Sequence, residues 1–253
     1  LDELIRGLDK EKLYPEQSVS IPSMRMNENT IALLDSTPHI RKGGLTFAPE
    51  AGTQRLRNVI NKNVTEDDII SVMKATGGSD YRTVKLYFMM GLPFETDTDL
   101  EGIVDLVYRL EDIGRQTKPR KQISISLSGF VPKPFTPFQW AEQADIAELR
   151  RKRIIVCRGL DSSKSRVSWR EEYLCLLESV LSRGDERIGE LIEAAFKNGC
   201  KFDGWHEHFS REKWEAAFVQ TGIQPADYLK AGRFRLPSPG TSSTFRFHVP
   251  FSR

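Results

Sequence analysis

Few groups of residues in this chain have types and spacings that could do chemistry. His206-Glu207-His208 sets two imidazoles two apart, on one side of an extended segment, as metal ligands can be. No third ligand is evident, and zinc needs three or four protein ligands, so a hydrogen-bonded structural role is expected and no metal site is assigned. Cys157, Cys175 and Cys200 are odd in number and far apart. That pattern suits buried thiols in a reducing compartment better than a disulfide framework, a zinc ribbon or an iron–sulfur motif. Gly77-Gly78-Ser79 follows a helical pattern and lacks the Lys-Ser/Thr pair of a phosphate loop. Arg150-Arg151-Lys152-Arg153 could meet a polyanion, although a charge run on a helix is more commonly its solvated face. Two cations end extended segments, Arg25 beside Ser23 and Lys133; each could hold an anionic substrate, the plainer alternative being a salt bridge to a loop acid.

The elements that must position these groups follow from hydrophobic pattern. The central stretch is Val84 to Asp97: an apolar run, a break at Gly91 and Pro93, and a Thr/Asp cluster that opens the helical pattern Leu100, Ile103, Val104, Val107. Strand, turn, helix is half of a βαβ unit, and in parallel α/β folds ligands sit where such strands end. Further strands are expected at Ser18–Arg25, Gly44–Pro49 and Gln122–Val131, the last alternating apolar and hydroxyl residues as a strand facing a polar lumen would. Helices are expected over Gln54–Ile60, after an N-cap at Thr65 with acidic residues behind it, and at several places beyond Trp140. A short extended piece, Ser165–Trp169, interrupts those later helices.

These patterns predict an α/β fold with a parallel sheet and helical crossovers, ending in a mostly helical extension. The expected division is 1–140 for the sheet domain, 141–232 for the helical extension and 233–253 for a flexible tail of Pro, Ser, Gly and Thr. The chain has 253 residues, 39% hydrophobic and 28% charged, with a net charge of +2, too small to argue for nucleic acid by itself. Absence of a signal-like start and of any apolar run near membrane length points to a cytoplasmic location. The opening residues Leu1 to Leu8 read as an amphipathic helix already under way, the mark of a piece cut from a longer chain.

Three blocks in order carry a family resemblance: Gly44-Leu-Thr-Phe-Ala-Pro-Glu-Ala-Gly-Thr-Gln-Arg-Leu-Arg57, Lys85-Leu-Tyr-Phe-Met-Met-Gly-Leu-Pro-Phe-Glu-Thr96 and Phe130-Val-Pro-Lys-Pro-Phe-Thr-Pro-Phe-Gln-Trp140. Together they resemble the radical SAM superfamily, in particular the group with a cobalamin-binding-type domain upstream of the radical SAM domain. Phe202-Asp203-Gly204-Trp205 and Arg183-Gly184-Asp185 resemble the same group. The resemblance implies a TIM-like partial (βα) barrel represented here by its later strands only. It also implies SAM and a 4Fe-4S cluster as cofactors, with cobalamin possible through the upstream domain. The family's cluster loop, Cys-x-x-x-Cys-x-x-Cys, is absent, so this chain would not ligate the cluster and would be inactive alone.

By position, the resemblance implies SAM contacts at Glu50 (ribose hydroxyls), Lys62 (the methionyl carboxylate, where relatives have Arg), and Met89 and Gly91 (backbone along the adenine). It adds Arg25 for the SAM carboxylate and Ser23 and Lys133 for substrate. Plainer readings stand beside these: Glu50 as an acid answering a helix dipole, Lys62 as an exposed lysine, Gly91 as a turn former. Tyr87 stands where some relatives place an acidic ribose contact. Two functions therefore compete: a radical SAM enzyme forming a 5′-deoxyadenosyl radical to modify an unknown substrate, or a non-catalytic module recognising RNA or protein, supported by the basic run alone.

Overall fold

A computed structural model describes Met26, Thr30 and residues 44–79, 81–205 and 207–232. The expected strand at 18–25, with Ser23 and Arg25, lies outside these residues, as do His206, the amphipathic start and the tail 233–253.

Contacts divide the chain into two compact units, 1–130 with 144–175, and 131–143 with 176–253. This differs from the expected boundary at 140/141. The difference arises because the short piece read as part of a helical extension is a strand of the sheet, and it draws the preceding helix with it.

The first unit is built as β1 (Gly44–Glu50), α1 (Gln54–Val59), α2 (Glu66–Ala75), β2 (Thr83–Met90), α3 (Asp97–Gln116), β3 (Gln122–Gly129), α4 (Ile146–Gly159) and β4 (Arg166–Trp169). All three strand pairings are parallel, and the spatial order β1-β2-β3-β4 is the order in sequence. β1, β2 and β3 bury alternate residues, Leu45 and Phe47, then Val84, Leu86, Phe88 and Met90, then Ile123, Ile125 and Leu127. These join one cluster with Ile69, Val72 and Met73 of α2, Leu100, Ile103, Leu106, Val107 and Leu110 of α3, and Val156 of α4. Helices thus cover one face of the sheet, and at ~25 cal/mol per Å² of apolar surface this burial is the main force holding it.

Local signals start and stop the elements. Thr65 accepts from the Asp68 backbone N–H while the Asp68 carboxylate accepts from that of Thr65, a reciprocal cap at the start of α2. At the start of α3 the Asp99 carboxylate again accepts from the N-cap, from the Thr96 N–H and hydroxyl, while the Asp99 N–H donates to the Thr96 carbonyl. β3 ends at Gly129, before Pro132 and Pro134, which cannot continue a ladder.

The second unit contains helices α6 (Ile188–Lys197) and α7 (Arg211–Thr221), most of α5 (Glu172–Arg183), and a 3-10 turn at Pro225–Tyr228. Gly199 and Gly222, both at positive φ, close α6 and α7. Among the described residues no helix is long and apolar enough to cross a membrane.

Candidate functional site

The carboxyl edge of the sheet in the first unit carries Glu50, Met89 and Gly91 of the residues singled out by sequence, with Lys62 bonded to Glu50. β1 slips in register after Phe47, so that Glu50 stands opposite Phe88, and Glu50 takes a left-handed backbone with φ 67°. Such a conformation is strained for any residue but glycine and is found most at functional positions. The Glu50 carboxylate accepts from Lys62 Nζ at 3.1 Å, and both side chains keep part of their surface in solvent. Two residues expected to meet different parts of SAM are therefore paired with each other.

The loop after Glu50 is clamped from two sides. Arg57, wholly buried, donates to the carbonyls of Ala51 at 2.9 Å and Gly52 at 3.2 Å and to Gln54 Oε1 at 3.2 Å. Burial lowers the Arg57 pKa, and Glu66, 3.7 Å away, opposes that shift. On the other side Asp99 accepts from the Thr53 hydroxyl, from Arg55, and from the Thr96 hydroxyl and backbone N–H. Desolvation alone would raise the Asp99 pKa; these donors outweigh it and hold the carboxyl below the usual range. Gly52 lies so close to α3 that a Cβ there would sit 2.2 Å from the Ile103 nitrogen and 2.5 Å from the Asp99 carbonyl oxygen.

β2 ends in a second built turn. Gly91 has φ 78°, and its N–H donates to Glu95 Oε2 at 2.8 Å. A Cβ on Gly91 would lie 2.9 Å from Leu149 Cδ2 and 3.1 Å from Ala144 Cβ, so the glycine serves turn and packing together. Glu95 is buried against Lys152 of α4 with Nζ 3.0 Å from its carboxylate. Burial pushes the Glu95 pKa up, against the backbone N–H groups of Gly91 and Leu92 and the Lys152 ammonium. Met89 packs with Phe130 against Ala51, Leu56 and Leu92, an apolar cluster joining the ends of β1, β2 and β3.

Other sequence candidates lie elsewhere. Lys133 belongs to the second unit, where its ammonium pairs with Glu178 of α5; the plainer alternative, an ion pair, is what the structure has, with a helix acid in place of a loop acid. The basic run is largely engaged: Arg151 binds Asp97 in two-pronged fashion at 2.8 Å and also Glu148, Lys152 is buried with Glu95, and Arg153 reaches Glu172 at 2.6 Å and stacks over Trp169 at 4.6 Å. His208 sits beside the Phe202 ring with centroids 6.0 Å apart. None of the three cysteines is in a disulfide, and burial raises the thiol pKa of Cys157 and Cys200.

The residues present do not fit a 4Fe-4S cluster. The sequence has no cysteine before Cys157, and among the described residues no group of three or more His, Cys, Asp or Glu could hold a metal. For SAM the donor set is partly suitable. Glu50 and Lys62 offer a carboxylate for ribose hydroxyls and an ammonium for a carboxylate, and the Met89 and Phe130 cluster offers an apolar wall to a purine. The Gly91 amide is already committed to Glu95.

Sequence reasoning passed over Arg57, Glu95 and Asp99. Only Asp99 left a signal, standing three residues after Thr96 as the second half of a capping pair.

No family model matches the chain. Over 149 residues, 59% of its length, it is 32% identical to an uncharacterized protein of Methanocaldococcus jannaschii, MJ0966, and that match spans 32% of the archaeal protein. The matched part of the chain therefore covers about one third of the relative's length.

Proposed function

We propose that this chain is the later part of a radical SAM domain, whose share of the work is to seat SAM at the carboxyl edge of β1, β2 and β3. The observation that carries this reading is the winding of the sheet: strands stand side by side in sequence order with helices packed on one face, as in a partial (βα) barrel. An open doubly wound sheet would instead reverse its order at a switch point.

In this reading Glu50 accepts from the ribose hydroxyls and Lys62 faces the methionyl carboxylate, the pair opening as SAM enters. Arg57 and Asp99 fix the loop, so that only side chains, not the Glu50 backbone, move as the pair opens. The activity proposed for the longer protein is formation of a 5′-deoxyadenosyl radical; cluster ligands come from outside this sequence, and none of its residues is assigned to that step. The competing module that recognises RNA or protein rested on the basic run, and three of its four cations are held by carboxylates.

Calorimetric titration of the chain with SAM tests the seat. Saturable binding, weakened about tenfold by Glu50→Gln, the size of a charge-assisted hydrogen bond, is expected. No binding, or binding indifferent to Glu50→Gln and Lys62→Met, overturns it. For the longer protein, anaerobic reconstitution with iron and sulfide should give cluster absorbance and 5′-deoxyadenosine.

A further inference from the structure

The sheet face away from the helices has a composition that packing does not account for. Register places Thr46, Lys85, Ser124 and Arg166 in one row across all four strands, Tyr87, Ser126 and Ser168 in the next, and Met89 and Ser128 in a third. Paired residues of parallel strands project to the same side, so these side chains share a face. Lys85 Nζ lies 4.7 Å from the centre of the Tyr87 ring, which carries the ammonium towards the middle row.

Among the described residues neither Lys85 nor Arg166 has a carboxylate partner, and the hydroxyls of Thr46, Ser124, Ser126 and Ser128 make no hydrogen bond. Ser168 alone in these rows is satisfied, donating to the Ile125 carbonyl at 3.0 Å. Across the four strands the sole acidic residue is Glu50, at the edge and already paired with Lys62.

Parallel sheets are ordinarily covered on both faces. An apolar cover here would strand two cations and four hydroxyls without partners, at a cost of roughly 1–3 kcal/mol for each neutral group. What lies before this face must therefore be polar, and the uncompensated charge is positive. Lys85 and Arg166 flank Ser124 from strands two spacings apart, about 10 Å between backbones. Side chains of that length can close on one anion from both sides, with the Ser124 hydroxyl between them. Arg with Lys and a hydroxyl is the donor set that suits phosphate.

We infer that this face binds a small phosphorylated molecule, its phosphate held by Lys85, Ser124 and Arg166 and its polar remainder running over Tyr87, Ser126 and Ser128 towards the carboxyl edge. The inference goes beyond the SAM seat and does not require it.

The test is calorimetric titration of the 253-residue chain, at near-physiological salt, with ribose 5-phosphate as probe and ribose and succinate as controls. Saturable binding of ribose 5-phosphate, with none of ribose, is expected. Lys85→Met and Arg166→Gln should each weaken it by at least about tenfold, the loss that follows one charge-assisted hydrogen bond. Lys74→Met, on an exposed turn of α2, should change nothing. Absence of binding, equal binding of succinate, or indifference to both substitutions overturns the inference. If circular dichroism shows that Lys85→Met does not fold, Arg166→Gln decides, since Arg166 is exposed on the short strand β4. SAM titrated against the parent chain separates the two proposals: absence of SAM binding counts against the SAM seat alone, and absence of ribose 5-phosphate binding against this one alone.

Discussion

Lys152 Nζ lies 3.0 Å from the Glu95 carboxylate, with the two side chains 8% and 1% exposed, and the same carboxylate receives the Gly91 N–H that ends β2. A lysine in the most basic stretch of the sequence thus fixes a turn at the sheet edge instead of facing a partner. Removing one charge leaves the other buried alone. Lys152→Met is expected to cost about 3–5 kcal/mol of stability, and the double replacement Lys152→Met with Glu95→Gln much less than that. Urea unfolding of Lys152→Met, Glu95→Gln and the double variant measures it, and additive losses would contradict the pairing.

The acid side of the stability profile should belong to Asp99 and Glu111. Desolvation would raise both, but Asp99 is outweighed by Thr53, Thr96 and Arg55, and Glu111 by Ser163, Ser165 and Arg115, so both fold with lowered pKa values. Their contribution is therefore full above the unfolded carboxylate range near 4 and is lost as pH falls through it towards the lower folded values. Glu95, raised by burial, has the opposite sign: its contribution is greatest below that range and declines as pH rises through its folded value. Asp99→Asn should be less stable than the parent at pH 7, and the gap should close as pH is lowered towards 3. A gap constant with pH would show that the carboxylate charge is not what stabilises the loop.

Arg57 should tolerate no substitute. Arg57→Lys removes the guanidinium nitrogen that donates to Gln54 Oε1, and a shorter ammonium must serve the Ala51 and Gly52 carbonyls that one Arg57 nitrogen now serves, at a cost of about 1–3 kcal/mol. If the loop is what presents Glu50, SAM affinity falls even at a temperature where the variant is fully folded. Calorimetry and a thermal melt on one sample read both effects.

Strain at Glu50 predicts an opposed pair of effects. The left-handed backbone costs a non-glycine residue about 1–2 kcal/mol, and a partly exposed ion pair returns about 1 kcal/mol or less. Glu50→Gly should therefore unfold at the same or a higher temperature than the parent while losing the ribose contact. Gly91→Ala is the reverse case, with positive φ and a crowded Cβ, and should destabilise by about 1–3 kcal/mol.

With three of its four basic residues engaged, the stretch from Arg150 to Arg153 should not bind RNA. Fluorescence anisotropy with a labelled single-stranded RNA at near-physiological salt should show no saturable change. Tight binding abolished by Arg150→Ala would restore the module reading.

What could be read from sequence was what is local. Alternation in Gln122–Gly129, the run Val84–Met90 and the Thr65 cap each depend on neighbours within one turn or one strand, and β1, β2, β3 and α2 stand where they were expected. β4 was legible as a short extended piece but not as a member of the sheet, because what makes Arg166–Trp169 its fourth strand is pairing with β3, more than forty positions earlier. The partners of Lys152, Arg57 and Lys133 were illegible for the same reason: charge is visible in a sequence, but the opposite charge that cancels it lies on another element. Glu50 was singled out by resemblance, and its pairing with Lys62 escaped because the two lie on different segments, although Pro49, which has no N–H to give a ladder, marks the place where the strand slips in register.

The strict alternation of β3 also limits how this protein can change length. Deleting a single residue within Gln122–Gly129 would exchange the two sets of side chains, driving Ser124, Ser126 and Ser128 in among the helices and turning Ile123, Ile125 and Leu127 outward. Gains and losses among natural variants should accordingly fall in the stretch 131–143 and spare the strand, whose parity is as binding as a reading frame.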